Sequence, residues 1–98
     1  MLIVKEHIFE QTKTILAIVD EELLGKKIVE GNKILDLKSQ FYKGKKMNEL
    51  AILDKIRFSA QINAVGKKTI SLLRKNKFIE TTKTIGSVPY AQIILIRD

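Results

Sequence analysis

The chain has no cysteine and a single histidine, His7. Disulfides, thiolate nucleophiles and cysteine-ligated metals are therefore excluded, and one imidazole without a thiol does not make an ordinary zinc site. A catalytic triad cannot be drawn either, because nothing places His7, on an expected strand, beside a hydroxyl and a carboxylate. No stretch approaches the roughly 20 apolar residues of a membrane span. The opening Met1–His7 holds too short an apolar run for a signal peptide, so a cytoplasmic protein with no membrane partner is expected. Arginine is scarce, at three against fifteen lysines, which argues against many bidentate contacts to guanine.

Acidic residues are missing where basic ones gather. From Lys55 to Ile79 stand seven cations, Lys55, Arg57, Lys67, Lys68, Arg74, Lys75 and Lys77, and no carboxylate. Residues 23–79 carry a surplus of ten positive charges, the first 22 residues are net −3, and residues 80–98 are neutral. The +7 total is thus polarised along the chain, a pattern that attracts polyanions. Intrahelical ion pairs would need an acid three or four residues away, and none stands between Asp54 and Glu80. Lys43, Lys45 and Lys46, beside Phe41 and Tyr42, extend the basic surface with rings able to stack on exposed bases.

Ninety-eight residues suit one domain, 1–98, with a core that needs no staples. Leu2-Ile3-Val4 and Thr14–Val19 read as paired strands. Asp20 stands as N-cap of a one-turn helix containing Glu21 and Glu22 and ended by Gly25. Lys26–Val29 and Lys33–Leu37 read as strands around a Gly31-Asn32 turn. Asn48 caps a helix running through Leu50, Leu53, Ile56 and Ala60, and a second helix follows Gly66 through Ile70 and Leu73. Gly86-Ser87-Val88-Pro89, holding the lone proline, is a turn, and Ala91–Ile96 is a last strand. The class is α+β: an N-terminal β-hairpin and short strands, a central helical pair, and a C-terminal β-strand.

Gly66-Lys67-Lys68-Thr69 ends like a nucleotide phosphate loop. Gln61 stands where that loop needs its first glycine, however, and the preceding segment reads as helix, so no triphosphate site is expected. A reduced form stays open, in which free amides after Gly66, with Lys67 and Lys68, hold one phosphate; the plain alternative is a helix boundary with solvated lysines. Asp20, Glu22, Asp36 and Asp54 would bind magnesium only if the fold gathered them. The expectation is a non-enzymatic protein with no catalytic residue, cofactor or metal.

Five segments occur in order: Asp20–Lys26, Glu30-Gly31, Phe41-Tyr42-Lys43-Gly44, Ile62-Asn63-Ala64-Val65-Gly66 and Gly86-Ser87-Val88-Pro89-Tyr90-Ala91-Gln92. In these the chain resembles the archaeal family catalogued as domain of unknown function 424, over nearly its whole length. The resemblance implies an archaeal source, a small α+β fold and a loose association with translation, with no established activity. It marks Gly86, Pro89, Tyr90 and Gln92 as a motif turn. The family usually has histidine where Tyr90 stands, so stacking or a side-chain hydrogen bond is the role common to both rings. The partner expected is structured RNA, ribosomal above all, with ribosomal or translation proteins beside it. The competing expectation is a protein-interaction module or homodimer using the Ile93–Ile96 run as a sheet edge.

Overall fold

In the computed structural model, residues 1–10, 12–38 and 40–95 are described. Two long strands, β1 (Leu2–Phe9) and β2 (Lys13–Asp20), form the expected hairpin, paired from Leu2↔Asp20 to Phe9↔Lys13. A 3-10 turn at Glu21–Leu23 leads to a second hairpin, β3 (Lys27–Glu30) and β4 (Lys33–Asp36), reversed by Gly31 at φ 60°. A further 3-10 turn, Gln40–Tyr42, precedes β5 (Lys45–Met47) and helix α1 (Glu49–Ile56). Then come β6 (Gln61–Val65), α2 (Lys67–Lys75), β7 (Lys83–Ile85) and β8 (Val88–Ile94).

Six strands form one mixed sheet in the order β5-β1-β2-β6-β8-β7, and β3-β4 form a separate ribbon. Only the β2–β6 pairing is parallel. Side chains alternate between the two sheet faces. Leu2, Val4, Leu16, Ile18, Ile62 and Ala64 point to the face that carries both helices and pack with Ile52, Ile56, Ile70, Leu72 and Leu73. Ile3, Val19 and Val65 point the other way and pack with Leu37, beneath the β3-β4 ribbon. The ribbon covers only one end of that second face.

Four sequence expectations are corrected. The first helix stops at Ile56, and Ala60 lies outside it, because Ile62, Ala64 and Val65 begin a buried strand. The central helical pair itself is present, with β6 between its two helices, but Leu50, counted as apolar face, is 79% exposed. The turn near the end narrows to Gly86 and Ser87, both at positive φ, as a two-residue hairpin requires. Pro89 sits inside β8 opposite Thr84, and residues 83–85, unassigned by the sequence, form an edge strand.

The last strand thus starts at Val88 rather than Ala91, and Ile96 lies outside the described residues. Its apolar run is not buried on both faces: Ile93 packs on the helix-side core, whereas Ile94 is exposed.

Candidate nucleic-acid interface

Asp20 is the best-held polar group on the helix side. It shares strand parity with Leu16 and Ile18, so its carboxylate points toward the helices and not into the turn that follows it. That 3-10 turn receives no side-chain cap. Instead Asp20 Oδ2 accepts from the Lys68 amide at 3.0 Å, and Oδ1 accepts from the Thr69 amide and the Thr69 hydroxyl, each at 2.8 Å. Asp20 therefore caps α2, 48 residues away. Gly66 makes this contact possible. Its φ of 111° suits glycine, and an added Cβ would lie 2.6 Å from Asp20 Oδ2.

This arrangement overturns two phosphate-loop arguments. The segment before Gly66 is a strand, so strand, turn and helix do follow in order. The amides expected to be free are nevertheless taken by the protein's own anion.

The seven cations of residues 55–77 fall on or beside α1 and α2. They are less isolated than the sequence implied: acids distant in sequence come to meet three of them, and Arg57 lies near its own neighbour Asp54. Lys55 pairs with Glu6 of β1, which points to the helix side. Lys68 reaches Glu22 at 3.4 Å, Lys75 reaches Glu49 at 2.7 Å, and Arg57 lies 3.9 Å from Asp54. On the β5 edge, Lys46 holds Glu21 at 2.7 Å; this hydrogen bond lowers the Glu21 pKa and raises that of Lys46. Glu22 is lowered chiefly by its own backbone amide and then by Lys68.

Among the described residues, Lys67, Arg74, Lys77, Lys43 and Lys45 have no carboxylate partner. Lys67 and Arg74, seven residues apart with exposed Ser71 between them, form one solvent stripe along α2. Lys26, Lys27, Lys33 and Lys38 stand instead on the β3-β4 layer, so the surplus of residues 23–79 is divided between the two sides of the sheet.

The opposite face holds a cleft of about 470 Å³ where the β3-β4 ribbon ends. Its floor is Asn63 and Val65 of β6 with Tyr90 and Gln92 of β8. Register puts Asn63 directly opposite Gln92, and Val65 opposite Tyr90. Leu35 and Tyr42 wall one side, and the segment Thr81–Lys83 walls the other. Burial raises the Tyr42 pKa. Phe41 sits edge-on to Tyr42 and stacks on His7, with centroids 4.1 Å apart. His7 Nε2 donates to the Phe41 carbonyl at 2.8 Å, so this imidazole positions the aromatic turn.

Of the motif turn, Tyr90 and Gln92 face this cleft, while Gly86 and Pro89 border a second hollow beside Lys67 and Lys68. Asn63, Thr81, Thr82 and Lys83 were not singled out as site residues by the sequence. Asn63 lay in a segment read as helix, and the other three gain meaning only from strand pairing.

Among the described residues, no group of three or more His, Asp or Glu side chains is placed to hold a metal ion. Asp20, Glu22, Asp36 and Asp54 do not converge: Asp36 accepts from the Lys38 amide, and Asp54 stays near Arg57 on α1. No helix is long and apolar enough to cross a membrane among the described residues.

Residues 8–96 match the model of a family described as "Protein of unknown function (DUF424)". The chain belongs to this family. A DUF424-like fold is also seen in the crystal structure of an uncharacterized conserved protein from Methanopyrus kandleri, 27% identical. The likeness covers 99% of this chain and 94% of that one, with a TM-score of 0.81. No curated protein matches the chain. Three of the five segments that carried the family resemblance, those holding Tyr42, Asn63 and Tyr90-Ala91-Gln92, meet at the cleft.

Proposed function

We propose that this protein is a non-enzymatic, cytoplasmic RNA-associated protein that binds structured RNA, in the setting of the ribosome or translation. The observation that carries the reading is the outer stripe of α2. Glu22 and Glu49 draw Lys68 and Lys75 toward its two ends, leaving Lys67 and Arg74, with Lys77 just beyond, to meet phosphates. Exposed ion pairs are worth little, so the paired lysines exchange a carboxylate for a phosphate at small cost. Phosphate contacts orient an RNA without reading its sequence. Lys43 and Lys45 widen the footprint along the β5 edge.

The test is a salt titration of binding to ribosomal RNA. Three neutralised phosphates correspond to a log–log slope of about −2, at roughly 0.7 per phosphate on single-stranded sites. The triple variant K67A/R74A/K77A removes that contribution from the slope, whereas K26A/K27A/K33A on the opposite layer leaves the slope unchanged. A salt-independent affinity sinks the reading.

One observation favours a second reading, a protein-interaction module. β7 pairs only with Val88–Tyr90, so among the described residues the Ala91–Ile94 half of β8 has a strand partner on its β6 side alone. Ile94, beside this edge, is 73% exposed. A strand from a partner or a second copy would complete the sheet there. Light scattering that gives twice the monomer mass, insensitive to salt, would favour this reading over RNA.

A further inference from the structure

We infer that the Tyr42–Tyr90 cleft takes one nucleobase, unstacked from the RNA proposed above; this inference rests on that reading. A cavity of about 470 Å³ falls within the range of small-molecule sites and accepts a nucleotide-sized group. Its floor supplies what a base edge needs. Asn63 and Gln92 are cross-strand neighbours on the same face, each carrying a donor and an acceptor. Gln61 Nε2 donates to Asn63 Oδ1 at 3.2 Å, which fixes the Asn63 amide with its Nδ2 group available. Among the described residues, the Gln92 carboxamide and the Tyr42 and Tyr90 hydroxyls have no protein hydrogen-bond partner.

Two rings stand at the same place. Tyr42 and Tyr90 pack against one buried cluster, Val19, Leu37 and Val65, and both line the cleft, so each is a rigid stacking platform. Lys83 is opposite Tyr90 in the edge pairing and has no ion pair among the described residues, which suits the phosphate attached to the base. Amide edges, aromatic faces and one cation form the chemistry by which single-stranded RNA is read.

The base could come from an RNA strand or from a free nucleotide, and one experiment separates these sources. Isotope-labelled protein is titrated with the four nucleoside 5′-monophosphates and with eight-residue oligoribonucleotides, following the side-chain amide signals of Asn63 and Gln92. The expected result is a saturable shift of both signals with an oligonucleotide. That shift should be lost in N63A/Q92A, whose affinity falls about tenfold while its salt slope is unchanged. Y90F and Y90H, which keep a ring, retain binding, and Y90A weakens it by about tenfold.

Monophosphates that shift the signals while oligonucleotides bind no more tightly would uphold the base site and assign it to a free nucleotide. Oligonucleotide binding with the predicted salt slope, but with shifts confined to α2, would overturn the cleft inference and leave the RNA reading standing. Silence of both amides toward every ligand would overturn it as well.

Discussion

Replacing Asp20 by alanine should destabilise the fold more than any other single loss of an acid, through a helix that begins 47 residues later. The carboxylate is 3% exposed and accepts three hydrogen bonds, two from α2 amides and one from a hydroxyl on a fully buried residue. Bonds to a charged acceptor contribute about 1.5–3 kcal/mol each, and losing a helix cap costs about 0.5–2 kcal/mol. The contributions do not add, because Lys68 lies at the surface, where water replaces the lost oxygen. Thr69 has no such access, so its orphaned amide and hydroxyl set the loss at about 3 kcal/mol.

Asp20→Asn keeps an oxygen for Thr69 but turns the side-chain amide NH2, a donor, toward the Lys68 N–H, so it should lose about half as much. With a urea slope of about 1.5 kcal/mol per molar, the alanine variant's midpoint falls by about 2 M. Hydrogen exchange supplies the sharper readout. Protection should drop at Lys68, Thr69 and Ile70, and stay unchanged at Leu23 and Leu24. A midpoint within 0.3 M of the parent, or lost protection confined to residues 21–24, would refute the long-range cap.

Gly66→Ala should cost at least about 3 kcal/mol, since it combines a φ of 111° with a collision against Asp20; thermal melts of the single and double variants with D20A check this. The double variant should lose less than the sum, because removing the carboxylate removes the collision but not the strain. Tyr42, whose pKa burial raises, stays neutral in the fold after the unfolded chain has begun to ionise. Its stabilising effect is complete below the ordinary tyrosine pKa and is lost as pH rises through the raised value. Denaturant midpoints measured from pH 8 to 11 should therefore fall less steeply for Y42F than for the parent, and identical slopes would contradict the burial argument.

The sequence was most legible where the physics is local. Apolar, β-branched runs mark β1 and β2, Gly31-Asn32 marks the β3-β4 turn, and Asn48 reads as the cap of α1, as found, its Oδ1 accepting from the Ala51 amide at 2.9 Å. The reading failed where a neighbour distant in sequence decides. Ile62–Val65 reads as helix from the sequence, and its position between β2 and β8 makes it a strand instead. Asp20 has the spacing of a local cap, yet strand parity turns its side chain to the other side. No acid stands among the cations between Lys55 and Ile79, but Glu6, Glu22 and Glu49 arrive through the fold. The cleft was half legible: Tyr42, Tyr90 and Gln92 were marked, whereas Asn63 and Lys83 were not.

The sequence alone settled that this protein has neither disulfides nor cysteine-held metal, and that its positive charge is unevenly distributed along the chain, because those properties belong to residue types and their order and not to their arrangement in space. Which cations remain unpaired, which anion occupies the start of α2, and which polar side chains share one cleft depended on tertiary structure. A sheet joins residues dozens of positions apart, and its two-residue alternation sends each side chain to one face or the other.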